Sequence, residues 1–254
     1  MKIKYYLMNP TGNITLLVET PVEEAVQPEI AARLMELEPT AEQVGFLNRN
    51  SLRMAGGEFC GNASMSAAAL LCRDLKCGEN RKIELDVSGA DEKVYVEITA
   101  EDKDFKGTVS MPKPQSVEDI SLTFSGENYS TTAVKFKGIT HLVFGSDFDK
   151  ETAEKAAPEW CAELNADALG IMLLDKDNSR LEPLVYVPNA GTMFWESSCA
   201  SGTSAVGAFL YAKEKRPVKQ TFSEPGGKLT VEADGEKLLL TGCVEILKYS
   251  QIEI

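Results

Sequence analysis

The sequence predicts an α+β protein of two pseudo-symmetric lobes, each a strand-rich, barrel-like shell around one buried helix. Three observations predict it. Short strand patterns dominate both halves of the chain. Each half carries one helix that is apolar on most sides: Met65, Ala67, Ala68, Ala69, Leu70, Leu71 and Cys72 in the first, and Ala205, Val206, Ala208, Phe209, Leu210 and Ala212 in the second. A helix apolar all round has no face for solvent and belongs inside. A cysteine precedes each helix, Cys60 and Cys199, and a similar distance beyond it lies a Ser88-Gly89 or Pro225-Gly226 turn. An internal duplication is the simplest account.

The elements follow in order. Strands are expected at Lys2–Leu7, Ile14–Glu19, Gln43–Leu47, Ser51–Met54, Lys82–Val87, Lys93–Ile98 and Gly107–Met111. Val94, Val96 and Ile98 alternate with Lys93, Tyr95 and Glu97, which buries one face. One helix opens at Pro28, a favoured first-turn position, and runs to Leu37; the buried one runs from Asn62 to Leu75. In the second half, strands at Thr132–Lys137 and Leu142–Gly145 lead to a helix over Lys150–Leu164, broken or kinked by Pro158. Strands at Leu169–Leu174, Leu184–Val187 and Thr192–Trp195 precede the second buried helix, Ser201–Lys213. Strands at Gln220–Phe222, Lys228–Glu232, Lys237–Leu240 and Val244–Leu247 close the chain. Pro112 and Pro114 interrupt strand pattern and place the seam at Lys113–Leu122. The lobes are then residues 1–118, with 245–254 returning to them, and 119–244.

Composition narrows the function classes. With 39 acidic and 26 basic residues the formal charge is −13, which repels phosphate backbones and anionic lipid. Nucleic acid and membrane are therefore not expected partners; oligomeric state stays open, with a homodimer admissible. No apolar run reaches the ~20 residues of a membrane span, and the first residues read as a strand rather than a signal peptide. A cytoplasmic protein is expected. Six cysteines in 254 residues are too sparse for a disulfide scaffold. Cys72, Cys77, Cys161 and Cys243 read as structural thiols. Cys72 and Cys77 have no second pair or histidine nearby, so no metal is expected. No glycine-rich fingerprint joins a strand to a helix, and no cofactor is expected.

The chemistry is expected in two segments, Ala55-Gly56-Gly57-Glu58-Phe59-Cys60-Gly61-Asn62-Ala63 and Trp195-Glu196-Ser197-Ser198-Cys199-Ala200-Ser201-Gly202-Thr203-Ser204-Ala205. Each places a cysteine where a buried helix begins. The first helical N–H groups have no partner within the helix, and the macrodipole adds partial positive charge there. Together they suit an anion such as a substrate carboxylate, and the same field is expected to lower a thiol pKa toward neutrality. Two such units suit racemisation, which removes a proton from one face of a carbon and returns one to the other. Helix N–H groups on the carboxylate would stabilise the developing enediolate.

Cys60-Gly61-Asn62-Ala63 and Ser198-Cys199-Ala200-Ser201-Gly202-Thr203 resemble the paired motifs of the diaminopimelate epimerase-like superfamily of PLP-independent amino-acid racemases and epimerases. The resemblance covers nearly the whole chain. It implies two lobes, catalytic cysteines at Cys60 and Cys199, and carboxylate-binding amides at Gly61, Asn62, Ala200, Ser201 and Gly202. Met8-Asn9-Pro10-Thr11-Gly12-Asn13 resembles the segment whose asparagine contacts substrate, which falls on Asn13. Thr140-His141-Leu142-Val143 resembles the segment that opens the second half. Diaminopimelate epimerases carry a Glu-Arg pair before the second cysteine; Leu184-Val185-Tyr186-Val187-Pro188 has neither residue, so a distal carboxylate would meet no cation. Trp195-Glu196-Ser197-Ser198-Cys199 is more similar to the histidine racemases. Histidine is the favoured substrate, with Glu58 or Glu196 as acceptor for its imidazole or α-amino group.

Blander readings stand beside these. His141 can be a packed structural histidine, Asn13 a left-handed turn residue, Glu196 a solvated edge charge and Gly56-Gly57 a tight turn. The alternative functions are diaminopimelate epimerisation, and a non-catalytic amino-acid binder or thiol redox protein of the same fold. An isomerase of the phenazine-biosynthesis type shares the fold, but the cysteine pair argues against it.

Overall fold

A computed structural model describes residues 1–253. The chain divides into two compact units. The first is Met1–Ser110 together with the residues from Leu240 onward, and the second is Met111–Leu239.

The first unit contains β1 (Lys2–Pro10), β2 (Thr15–Val18), α1 (Gln27–Leu37), β3 (Gln43–Asn48), β4 (Ser51–Met54), α2 (Gly61–Leu71), β5 (Asn80–Val87), β6 (Val94–Ala100) and β7 (Phe105–Ser110). Most of the last strand, β16 (Leu238–Glu253), belongs here too. Hydrogen bonding runs β1-β2-β3-β4-β5-β6-β7-β16, and β16 also pairs antiparallel with β1. The eight strands therefore close on themselves, which leaves no open edge. Two pairs are parallel, β2–β3 and β4–β5, and each needs a helical crossover. The first crossover contains α1, whose Ile30, Ala31 and Leu34 pack with Ile3, Tyr5, Leu16, Val18 and Phe46. The second is α2, buried from Gly61 to Leu70 and packed against β1, β2, β6 and β7. All four β2 residues are buried, because α1 covers one face of the strand and α2 the other. Fully burying Met65 and Leu70 contributes about 1.5–3 kcal/mol each.

The second unit contains β8 (Ser116–Phe124), β9 (Glu127–Phe136), β10 (Ile139–Gly145), α3 (Lys150–Glu163), β11 (Leu169–Asp175), β12 (Arg180–Val187), β13 (Thr192–Trp195), α4 (Ala200–Glu214), β14 (Val218–Glu224) and β15 (Gly227–Ala233). Its strand path is β8-β9-β10-β11-β12-β14-β15, with β13 on β12. The parallel pairs are β10–β11, crossed over by α3, and β12–β14, crossed over through α4. From β1 to β6 and from β9 to β15 the sequence of antiparallel and parallel pairings is the same, apart from the added β13. Helix α4 is the counterpart of α2, buried at most positions from Ala200 to Leu210. Helix α3 is the counterpart of α1 and places Trp160 among Leu142, Phe144, Leu169 and Ile171.

Four local expectations change. The expected seam runs into a nine-residue strand, β8, because Ile120, Leu122 and Phe124 alternate onto the Trp160 cluster. Helix α3 runs unbroken through Pro158: the carbonyl that loses its partner belongs to Glu154, on the same exposed face, where water can serve it. Helix α2 stops at Leu71, where Cys72 caps a chain that turns. The last two expected strands are one continuous strand through Gly242 and Cys243. Among the described residues no helix is long and apolar enough to cross a membrane.

Candidate active site

The two cysteines are N-caps of the same form. Cys60 (φ −134°, ψ 115°) caps α2 and Cys199 (φ −126°, ψ 104°) caps α4. Each thiol sulfur accepts the backbone N–H three residues on, Ala63 or Gly202, at 3.4 Å. Each cysteine carbonyl accepts a side-chain hydroxyl four residues on: Ser64 Oγ donates at 2.7 Å and Thr203 Oγ1 at 2.8 Å. Even the approach is tied alike. The carbonyl two residues before the cysteine is held by the turn after the next strand, Glu58 by the Ser88 hydroxyl at 2.8 Å and Ser197 by the Gly226 N–H at 2.7 Å. A sulfur can fill the position usually held by a Ser or Asp oxygen because the N-cap needs only an acceptor over the first turn.

In the first unit the half-buried Cys60 thiol donates to Gln43 Oε1 at 3.2 Å. Gln43 Nε2 donates to Asn13 Oδ1 at 2.5 Å and to Thr15 Oγ1 at 2.8 Å, which fixes its amide orientation. Asn13 Nδ2 in turn donates to Glu42 at 2.5 Å. Burial raises the Glu42 pKa, and the Asn13 hydrogen bond opposes the rise. The expected substrate contact Asn13, 6% exposed, is thus joined to Cys60 through one glutamine. Asn62, in the first turn of α2, is buried with Oδ1 unpartnered. Gly89 underpins the loop: it has φ +74°, and a Cβ there would lie 2.3 Å from the Phe59 backbone nitrogen.

The second unit surrounds its cysteine with acid. Cys199 is 6% exposed. Its backbone N–H donates to Glu224 Oε2 at 2.8 Å, while Glu224 Oε1 contacts the Thr203 hydroxyl. Its thiol lies 3.5 Å from Ser201 Oγ, which in turn lies 3.0 Å from His141 Nε2. His141 is fully buried, and burial lowers its pKa to about 3, so the ring is neutral. The expected lowering of the thiol pKa is reversed here. Burial first, then the Glu196 carboxylate and, least, Glu224, push Cys199 well above the usual thiol range, against a lowering contribution from Ser201. The helix terminus is outweighed by desolvation and two acids. A Cβ at Gly202 would lie 2.3 Å from Met172 Sδ and 3.2 Å from the Cys199 sulfur, so a side chain there fits only if the thioether moves.

The structure therefore gathers Asn13, Gly61 and Asn62 around Cys60, and Glu196, Ala200, Ser201 and Gly202 around Cys199. The Gly202 N–H is directed at the sulfur. Glu58 is exposed and folds back over Gly56, where a Cβ would meet its carboxylate. Sequence reasoning missed Gln43 and Glu224. The signal for Glu224 was its place two residues after inward-facing Phe222, which puts an acid on the buried face of a strand. Among the described residues no group of three or more His, Cys, Asp and Glu side chains could hold a metal ion.

This geometry can be set beside known proteins. The histidine racemase CntK N-terminal domain family matches residues 2–248. A histidine racemase of Fusobacterium nucleatum subsp. nucleatum is 34% identical over 261 residues, covering 99% of this chain and 97% of that protein. A histidine racemase of Staphylococcus aureus is 28% identical over 243 residues, with 90% and 88% covered. Among solved structures, a predicted epimerase from Pseudomonas aeruginosa superposes with TM-score 0.72 at 14% identity, covering 99% of both chains. A hydroxyproline epimerase from Agrobacterium vitis, with bound trans-4-hydroxy-L-proline, gives TM-score 0.69 at 14% identity, covering 99% of this chain and 92% of that one. At these identities the solved structures speak for the fold, and the sequence relatives speak for the family. The chain belongs to the histidine racemase family and is an amino-acid racemase, an isomerase.

Proposed function

We propose that this chain racemises free histidine without a cofactor, using the Cys60 and Cys199 thiols as a two-base pair. The observation that carries the reading is the repetition of one thiol-capped helix start in both units, in a chain whose relatives are histidine racemases. In one direction a cysteine thiolate removes the Cα proton, and the other cysteine, as thiol, protonates the opposite face. The reverse direction exchanges the roles, and the spent pair is reset by proton exchange. The N–H groups of Gly61, Asn62, Ala200 and Ser201 hold the carboxylate and stabilise the enediolate. Those of Ala63 and Gly202 cap the sulfurs. Glu196, beside the Cys199 thiol, is the carboxylate available to the α-ammonium or imidazole group.

The test is turnover of L- and D-histidine against a panel including diaminopimelate, with deuterium uptake at Cα from D₂O. Each of Cys60→Ala and Cys199→Ala should lower racemisation by about 10²–10⁴-fold. Equal turnover of diaminopimelate would sink the substrate assignment, and undiminished racemisation by either variant would sink the two-base mechanism. Turnover of a dithiol without Cα exchange would point to a redox protein instead.

A further inference from the structure

Glu224 is buried beneath the Cys199 cap, and the protons around it can be counted. The Cys199 N–H supplies one hydrogen bond, to Oε2. The Thr203 hydroxyl has a single proton and two oxygens within reach, the Cys199 carbonyl at 2.8 Å and Glu224 Oε1. Ser and Thr within helices habitually donate to the carbonyl four residues back. Ser64 does so to Cys60 at 2.7 Å, so the back-bond belongs to this kind of cap. With the Thr203 proton spent on the Cys199 carbonyl, the contact with Glu224 Oε1 is a hydrogen bond only if the carboxyl group donates it. An ionised Glu224 would instead set two lone-pair-bearing oxygens against each other in a site 6% exposed.

We propose that Glu224 is a neutral carboxylic acid in the resting enzyme, and that its neutrality is what lets the start of α4 accept the substrate carboxylate and a Cys199 thiolate. It is a positioning residue, acting through the Cys199 backbone and Thr203, and its role rests on the racemase reading above. A charge on Glu224 would cancel the partial positive charge of the helix start and repel both anions. The groups around it offer no compensation. Glu196 raises its pKa from the loop before α4, and Cys199 faces it from the cap. Arg180 on β12 and Lys228 on β15 pair with Ser223, so their side chains lie on the opposite face of β14 from Glu224. His141 on β10 reaches the cap only through Ser201, and as a neutral ring. Burial raises the Glu224 pKa to about 7, against the Cys199 N–H hydrogen bond, so the proton is lost as pH rises through about 7. The consequence is a pH gate: as Glu224 ionises, substrate affinity falls and the Cys199 thiolate becomes harder to form.

The experiment compares wild type with Glu224→Gln, whose amide keeps both hydrogen bonds and cannot ionise. KM and kcat for histidine racemisation are measured in both directions from about pH 6 to pH 9. The ratio of wild-type to variant KM should rise about tenfold across this range, the effect of roughly 1.4 kcal/mol of repulsion. In the absence of substrate, the pH midpoint for iodoacetamide modification of Cys199, read from its own peptide, should fall by about one unit in the variant. Wild-type carboxyl ¹³C titration supplies a third reading that survives a failure of the variant to fold. One glutamate should titrate near pH 7 and persist in Glu42→Gln, which removes the other carboxyl raised by burial. A flat KM ratio with an unchanged Cys199 midpoint overturns the inference, as does a Glu42→Gln titration in which every glutamate ionises below about pH 5. Absence of histidine racemisation in wild type would count against the racemase reading alone, since the thiol and carboxyl titrations do not depend on it.

Discussion

The caps at Cys60 and Cys199 share backbone angles, a sulfur-directed N–H at 3.4 Å and a back-bonding hydroxyl, yet their surroundings differ in kind. Cys60 is half-buried and donates to a neutral amide. Cys199 is buried among Glu196, Glu224 and Ser201. Duplication has preserved what the helix start requires and let the neighbouring side chains diverge. That division is what the proposed two-base chemistry would allow: it requires both sulfurs to be placed alike, and each to hold its proton in one direction and release it in the other.

The largest expected contrast is steric. Gly89→Ala sets a Cβ 2.3 Å from the Phe59 nitrogen and 2.7 Å from the Glu58 carbonyl carbon, at φ +74°. Both neighbours are backbone, so the loop carrying Cys60 must shift. A displacement of about 1 Å can cost ~10²-fold in turnover. Gly202→Ala meets the Met172 thioether, a flexible side chain that can swing aside, and should cost less than about tenfold. Steady-state kinetics of the two variants decide it, and equal losses would break the comparison.

The next contrast is one of charge and is read from stability against pH. Glu224, raised from 4.5 to about 7 by burial, contributes stability that is full below pH 4.5 and lost as pH rises through 7. His141, lowered from 6.5 to about 3 by burial, contributes stability that is full above pH 6.5 and lost as pH falls through 3. Between 4.5 and 6.5 the two offset each other. Glu224→Gln should uncover the histidine and make stability rise with pH across that window by about 3 kcal/mol relative to wild type. Thermal or denaturant unfolding of both proteins measures this difference, and parallel curves would refute it.

The smallest is chemical access. Iodoacetamide at about pH 8 should modify Cys60 roughly tenfold faster than Cys199, since the reactive form is the thiolate and Cys199 is buried with its pKa raised. Peptide mass spectrometry separates these sites from exposed Cys77 and Cys243. Equal rates would mean that the two surroundings do not differ in the way the structure indicates.

Much of this was legible in the sequence because it is local. The helices that carry apolar residues all round are the buried ones, and the cysteine before each is its cap. What was not legible depends on partners distant in the chain. Gln43 reaches Cys60 across 17 residues and Glu224 reaches Cys199 across 25, each from the inward face of a strand whose register only the folded sheet reveals. The thiol field was misjudged at Cys199 for the same reason: a helix start can be read from the sequence, but the acids that surround it cannot. The break allowed for at Pro158 does not occur, because the proline and the carbonyl it deprives lie on the exposed face of the helix.

The closure of the first unit by β16 reverses an ordinary order of events. That strand pairs with β1 and also sits beside β7, so Met1–Ser110 lacks one of its eight staves until the ribosome has passed Leu240. Met111–Leu239 is contiguous and has all its own strands earlier. The amino-terminal half, synthesised first, is therefore the last to finish folding, and the nascent chain carries an open β1 edge while its neighbour matures.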